Sequence, residues 1–186
     1  MDQCPIYTRA CQLNNTMRML WEQHATWTRQ TIISIAEGLA DERATTARLL
    51  RNPVDMAALF RPLYGDAVAD RFQALLTNHL VLAAQLVKAA KAGDSMAAAD
   101  IERRWYANGD EIAALLSMIN PFLSRETLTT AWRTHLAQVK AQAVARLNRD
   151  YAADIASYDQ GELHLLEMAD ALTCGLLAQF PWLGSC

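Results

Sequence analysis

Apolar residues recur along this chain at the three- and four-residue spacing of an amphipathic helix, and polar breakers separate the runs. The first stripe holds Met17, Leu20, Trp21, His24, Ile32, Ile35 and Leu39, with Thr28 and Thr31 on the same side. It predicts a helix that follows Asn14–Asn15 and ends near Gly38. A short helical stretch around Thr45–Leu50 follows. From Asn52-Pro53 to Tyr64-Gly65 the pattern reads as a connector with one helical turn inside. Asp66 looks like an N-cap, the residue type whose side chain accepts from the first orphan amides. The helix it opens carries Val68, Phe72, Leu75, Leu76, His79, Ala83, Leu86 and Val87, and Gly93 suits its C-terminal end.

Asp94 or Ser95 opens the next stripe, made of Ile101, Trp105, Asn108, Ile112, Leu115 and Ile119. Gly109 weakens that helix by up to about 1 kcal/mol relative to alanine. Asn120-Pro121 ends it, and Ser124 caps a helix whose inner face is Leu128, Trp132, His135, Val139, Ala143 and Leu147. After a break near Asn148–Asp150, a last segment runs from about Tyr151 to Phe180. Its expected inner positions are Ile155, Tyr158, Asp159, Glu162, Leu166, Ala169, Leu172 and Leu176. Strand-like alternation is nearly absent. The fold class is all-α: an antiparallel helical bundle of four long helices plus short connecting helices. Residues 14–180 form the expected domain, between tails at 1–13 and 181–186.

Composition narrows the classes. The 186 residues are 52% hydrophobic and 20% charged, with a formal net charge of −3. That suits a soluble globular protein and lacks the basic patch of a nucleic-acid binder. No signal peptide is recognisable at the start, and no apolar run approaches the roughly 20 residues that span a bilayer. A cytoplasmic protein away from the membrane is expected. Cys4, Cys11, Cys174 and Cys186 form no C-x-x-C pair, so a thiolate metal site is not signalled. Phosphate-binding glycine loops and a G-x-S-x-G elbow are also missing.

The chemistry resides in polar residues on apolar stripes. His24, His79 and His135 each occupy a position where periodicity expects an apolar side chain, on three different helices. A buried imidazole without a partner costs roughly 1–3 kcal/mol. One metal ion shared by three would satisfy them together. Asp159 and Glu162 are three apart, on one helix face, and are the candidate oxygen ligands. His164 is rotated about 200° from Glu162 and reads as peripheral. Asn108, Trp105 and Tyr158 are candidates for supporting the ligands from behind. Trp21, Trp105 and Trp132 read as core beside the site, and Arg29 with Glu22 as a solvated ion pair. Imidazole with carboxylate suits a transition metal, iron first, with manganese, zinc or copper as alternatives. An open coordination position would take dioxygen or a small-molecule substrate, giving a non-haem oxidoreductase; metal sensing, storage or carriage is the non-catalytic form. A metal-free polar pocket, or a partner-binding or self-associating bundle using the FPWLGSC tail, are the competing readings.

The stretches LWEQHATWTRQTIIS, RNPVDMAALFRPLYGDAVADRF, LLTNHL, WYANGDEIAALLSMINP, THLAQV and DYAADIASYDQGELHLLEMADAL cover most of the chain from Leu20 onward. They resemble a group of small, largely uncharacterised bacterial all-helical proteins, some of which bear an acetylglutamate kinase label. The resemblance implies histidine or glutamate at the position of Glu162. The kinase label does not fit, because enzymes of that kind are larger α/β proteins with glycine-rich phosphate loops. The bundle is also loosely similar to ferritin-like and hemerythrin-like metalloproteins. It lacks the paired Glu-x-x-His signature of the ferritin type, which argues for a histidine-rich site instead.

Overall fold

The computed structural model of the chain describes residues 8–184. Among these residues the protein is all-α: α1 (Arg9–Glu37), α2 (Glu42–Leu49), α3 (Asn52–Tyr64), α4 (Asp66–Lys91), α5 (Ser95–Ile119), α6 (Arg125–Leu147) and α7 (Tyr151–Gln179), then a 3-10 turn at Pro181–Leu183. Five of these helices, α1 and α4 to α7, have 23 residues or more.

Local chemistry sets most boundaries. Thr8 caps α1 by accepting from the Cys11 amide at 3.2 Å, so the helix starts earlier than Asn14–Asn15 suggested. At its other end Gly38 adopts φ 68°, and the Gly38 and Leu39 amides bond back to Ile35 and Ser34. That left-handed turn satisfies carbonyls the helix would otherwise leave open, and glycine adopts it without steric cost. Asp94, Ser124 and Asp150 cap α5, α6 and α7 through their side chains. Asp66 is the first residue of α4 and not its cap; its carboxylate accepts from Arg61.

The expected connector at 52–65 is a 13-residue helix, α3. Asn52-Pro53 looks like a breaker, but proline in the first turn loses no helical hydrogen bond and has the right φ. Met56, Ala57 and Phe60 anchor α3 in the core.

Short loops make α4, α5, α6 and α7 successively antiparallel. On the other side, α1 pairs with α7 through Arg18–Asp170 and Arg29–Asp154, which also makes those two antiparallel. It follows that α1, α4 and α6 run in one direction. Lys91 Nζ donates to the Ile35 carbonyl at 2.6 Å and Arg146 pairs with Glu37 at 3.0 Å, joining the C-terminal ends of all three. The crossover α2–α3 is what lets α1 and α4 lie parallel.

The buried face of α7 matches expectation at Ala169, Leu172 and Leu176 and departs from it in the first half of the helix. It comprises Asp154, Leu165, Met168, Ala169, Leu172, Thr173, Gly175 and Leu176, while Ile155 is 52% exposed and Asp159 is exposed. The first inner position of α7 is a carboxylate, so apolar periodicity places the stripe one residue, about 100°, away. Arg29 binds Asp154 through two nitrogens, at 2.8 and 3.2 Å, and Arg146 approaches at 3.5 Å. Arg29 is therefore not the solvated partner of Glu22, whose carboxylate accepts from Thr26. No helix among the described residues is long and apolar enough to cross a membrane. Cys11 and Cys174 are thiols, and Cys4 and Cys186 lie outside the described residues.

Candidate metal centre

His24, His79 and His135 come from the three parallel helices α1, α4 and α6, and each is 1% exposed. About three turns separate each histidine from the polar contacts that join the C-terminal ends of these helices, so their heights match. Ligand nitrogens from the three rings all lie within 4.8 Å of one another. Ring centroids are 5.5 Å apart for His24–His135, 5.9 Å for His79–His135 and 6.3 Å for His24–His79.

Two of the rings are held by the same device. His24 Nδ1 is 3.1 Å from Asn52 Oδ1, and Asn52 Nδ2 donates to the Leu20 carbonyl at 2.9 Å. His79 Nδ1 is 3.2 Å from Asn108 Oδ1, and Asn108 Nδ2 donates to the Leu75 carbonyl at 3.1 Å. In both cases the carbonyl belongs to the residue one turn before the histidine. An amide whose nitrogen is committed to a carbonyl can present only its oxygen to the ring. Nδ1 is then the protonated nitrogen, and Nε2 keeps its lone pair. Metal-ligating histidines are oriented in this way by the group bound to their other nitrogen.

Burial also keeps the rings neutral. It lowers His24 to about 4; burial and then the neighbouring His24 charge lower His79 to about 3. His135 is pushed well below its ordinary value, first by burial and then by His24, His79 and His164. Near pH 7 the site is three uncharged, buried nitrogen donors.

Tryptophans enclose it. Trp132 meets His79 at 5.2 Å, Trp105 meets His79 at 5.4 Å, and Trp21 meets His24 at 5.7 Å between centroids. Each is 1% exposed, as core residues beside the site should be.

His135 is held differently. Its Nδ1 has no hydrogen-bond partner among the described residues, and neither do Gln138 Oε1, Gln142 Nε2 and Thr28 Oγ1. These four residues line one cavity of about 20 Å³, together with Tyr158 and Glu162. That is room for a single water, which needs two to four polar partners.

The carboxylates stand apart from the trio. Glu162 is half-buried, accepts from Tyr158 at 3.1 Å, and shares the small cavity with His135. Asp159 lies on the outer face of α7. His164 is peripheral as expected, with Nε2 donating to the Ala131 carbonyl at 2.9 Å. Asn108 and Trp105 contact His79, and Tyr158 bonds Glu162 and lines the small cavity beside His135. Asn52 was missed: it is fully buried yet sits in a segment that reads as a connector. The signal available was its match to Asn108 as a second buried amide, which no periodicity announces.

Against protein-family models, curated proteins and solved structures alike, the chain shows no significant match.

Proposed function

We propose that the protein binds one transition-metal ion through His24, His79 and His135. The observation that carries this reading is the set of three buried imidazoles with ligand nitrogens within 4.8 Å, of which His24 and His79 are each bonded to an asparagine while His135 Nδ1 has no partner among the described residues. A common partner for the converging nitrogens is the economical arrangement. Metal–nitrogen bonds of about 2.0–2.1 Å in a tetrahedral site put nitrogens roughly 3.4 Å apart. The trio has to close by up to about 1.4 Å from its widest spacing, which small ring rotations supply. The donor set leaves a fourth position open.

A divalent ion on three neutral donors brings net charge into the core. Glu162 is the nearby carboxylate that borders His135 across the small cavity, and it supplies the compensating charge directly or through a water. With Glu162 engaged, the set of histidines and one carboxylate suits non-haem iron or manganese; three imidazoles alone suit zinc or copper. We favour iron, with redox or dioxygen chemistry at the open position as the activity. The ferritin-like carboxylate cluster is not the pattern here, because the inward ligands are imidazoles.

Elemental analysis of protein purified without metal-affinity resin tests this. The expected result is about one transition-metal ion per chain, falling to background in His79→Ala and His135→Ala. Metal-free protein that takes up neither iron(II) nor zinc(II) tightly overturns it. An absorption spectrum in oxidised and reduced forms then separates iron and copper from zinc.

A further inference from the structure

A second, larger cavity of about 120 Å³ lies on the C-terminal side of the histidines in the core between α1, α4, α5 and α6. Its placement follows from the parallel run of three helices. Thr28, Ala83 and Val139 line it, and each is one turn beyond a histidine, four residues after His24, His79 and His135. Trp105 is a shared wall, lining the cavity while its ring meets His79 at 5.4 Å between centroids. Thr28 and Val139 also border the small cavity that His135 and Glu162 line. The two spaces are thus neighbours that share Thr28 and Val139 as walls, next to the histidine layer.

The walls are almost wholly apolar, with two exceptions inside. Thr28 is 6% exposed and Thr31 2%, and neither hydroxyl has a partner among the described residues. A buried threonine in a helix ordinarily bonds back to the carbonyl one turn earlier, as Thr173 does here to Ala169. Two adjacent buried hydroxyls that do not are costly unless something else satisfies them. Charged groups occur only at Glu102 and Lys140, paired at 2.5 Å between α5 and α6 and partly exposed. They mark the side where the cavity meets solvent.

We propose that this cavity binds a small neutral molecule with an apolar body and one oxygen that hydrogen-bonds to Thr28 and Thr31. A short-chain or cyclic alcohol or ketone is the size class, since benzene occupies an apolar cavity of about 150 Å³, of the same order as the 120 Å³ here. Such a molecule is the substrate class of the histidine site. That last assignment rests on the metal reading; binding in the cavity does not.

Cyclopentanol and cyclopentane are the probes, titrated into metal-free and metal-loaded full-length protein and followed by NMR of the threonine methyls and the Trp105 indole. Saturable shifts are expected for cyclopentanol, with affinity about fivefold above cyclopentane, as one net hydrogen bond provides. Ala143→Leu fills the cavity and should abolish the shifts. Thr28→Val with Thr31→Val keeps the volume and should bring the two affinities level; this pair decides the matter if the leucine variant does not fold. Absence of saturable shifts, or equal affinity for both probes in the unaltered protein, overturns the proposal. Saturable binding without metal, in a protein that takes up no metal, sustains the cavity and sinks only its link to the histidines.

Discussion

Asn52 Oδ1 lies 3.1 Å from His24 Nδ1, joining the first residue of α3 to the middle of α1. The contact selects one tautomer of His24 and aims its other nitrogen at the remaining two rings. Asn52→Ala removes that orientation and leaves a buried N–H unpaired. Metal affinity should fall by about 10–100-fold, the usual loss when a ligand's supporting partner is removed. Competition against a chromophoric chelator measures it. Unchanged affinity would remove His24 from the ligand set.

Acid should unfold the metal-free protein early. In the fold His24 binds its proton only near pH 4 and His79 near pH 3, whereas in the unfolded chain both do so near 6.5. The folded values are depressed, so the unfolded state holds more protons in the window between. Stability from these groups is complete above about pH 6.5 and declines as pH falls towards 4. The slope is about 1.4 kcal/mol per pH unit for each histidine, and His135 shifts in the same direction. Urea unfolding at pH 7, 6 and 5 should show a midpoint that drops at each step. A flat midpoint would mean that the rings take up protons as readily in the fold as in the unfolded chain.

Asp154 is fully buried and bound by Arg29 and Arg146. Asp154→Ala leaves two guanidinium groups facing a vacated site and should cost about 3–5 kcal/mol, the range for breaking a buried ion pair from one side. Asp100 pairs with Arg103 and Arg104 at the exposed surface. Asp100→Ala should barely move the thermal midpoint, and comparable losses in the two variants would contradict the burial of Asp154.

Gly109 lies inside α5, where glycine is less favourable than alanine by about 1 kcal/mol. A Cβ there would meet Leu136 at 3.6 Å and Trp132 at 3.8 Å, which is ordinary contact. Gly109→Ala should therefore stabilise the protein, by about 0.5–1 kcal/mol. A lower denaturation midpoint would show that the contact between α5 and α6 is tighter than these distances indicate.

The ends of α5, α6 and α7 were legible because capping is a local code: Asp94, Ser124 and Asp150 each satisfy an amide three residues on. The inward faces of α1, α4 and α6 were legible because an apolar stripe has to face the core, so His24, His79 and His135 could be assigned to the interior before their partners were known. The inner face of α7 was legible at Ala169, Leu172 and Leu176 but not in its first half, which begins with a carboxylate. Charge at an inner position is hidden from hydrophobic periodicity whenever its counter-ions come from other helices, as Arg29 and Arg146 do. For the same reason Asp159 read as inward and is exposed.

By itself, the chain's sequence determined an all-α bundle with three histidines on buried stripes, since both follow from the spacing of side chains within single helices. Tertiary structure alone decided that α1, α4 and α6 run parallel, and so that the three imidazoles meet at one level. It also decided that Asn52 and Asn108 hold two of those rings while Glu162 stays across a small cavity. A helix's buried face depends on residues three and four apart, whereas a polar group's partner depends on which helices pack together, in which direction and at what height.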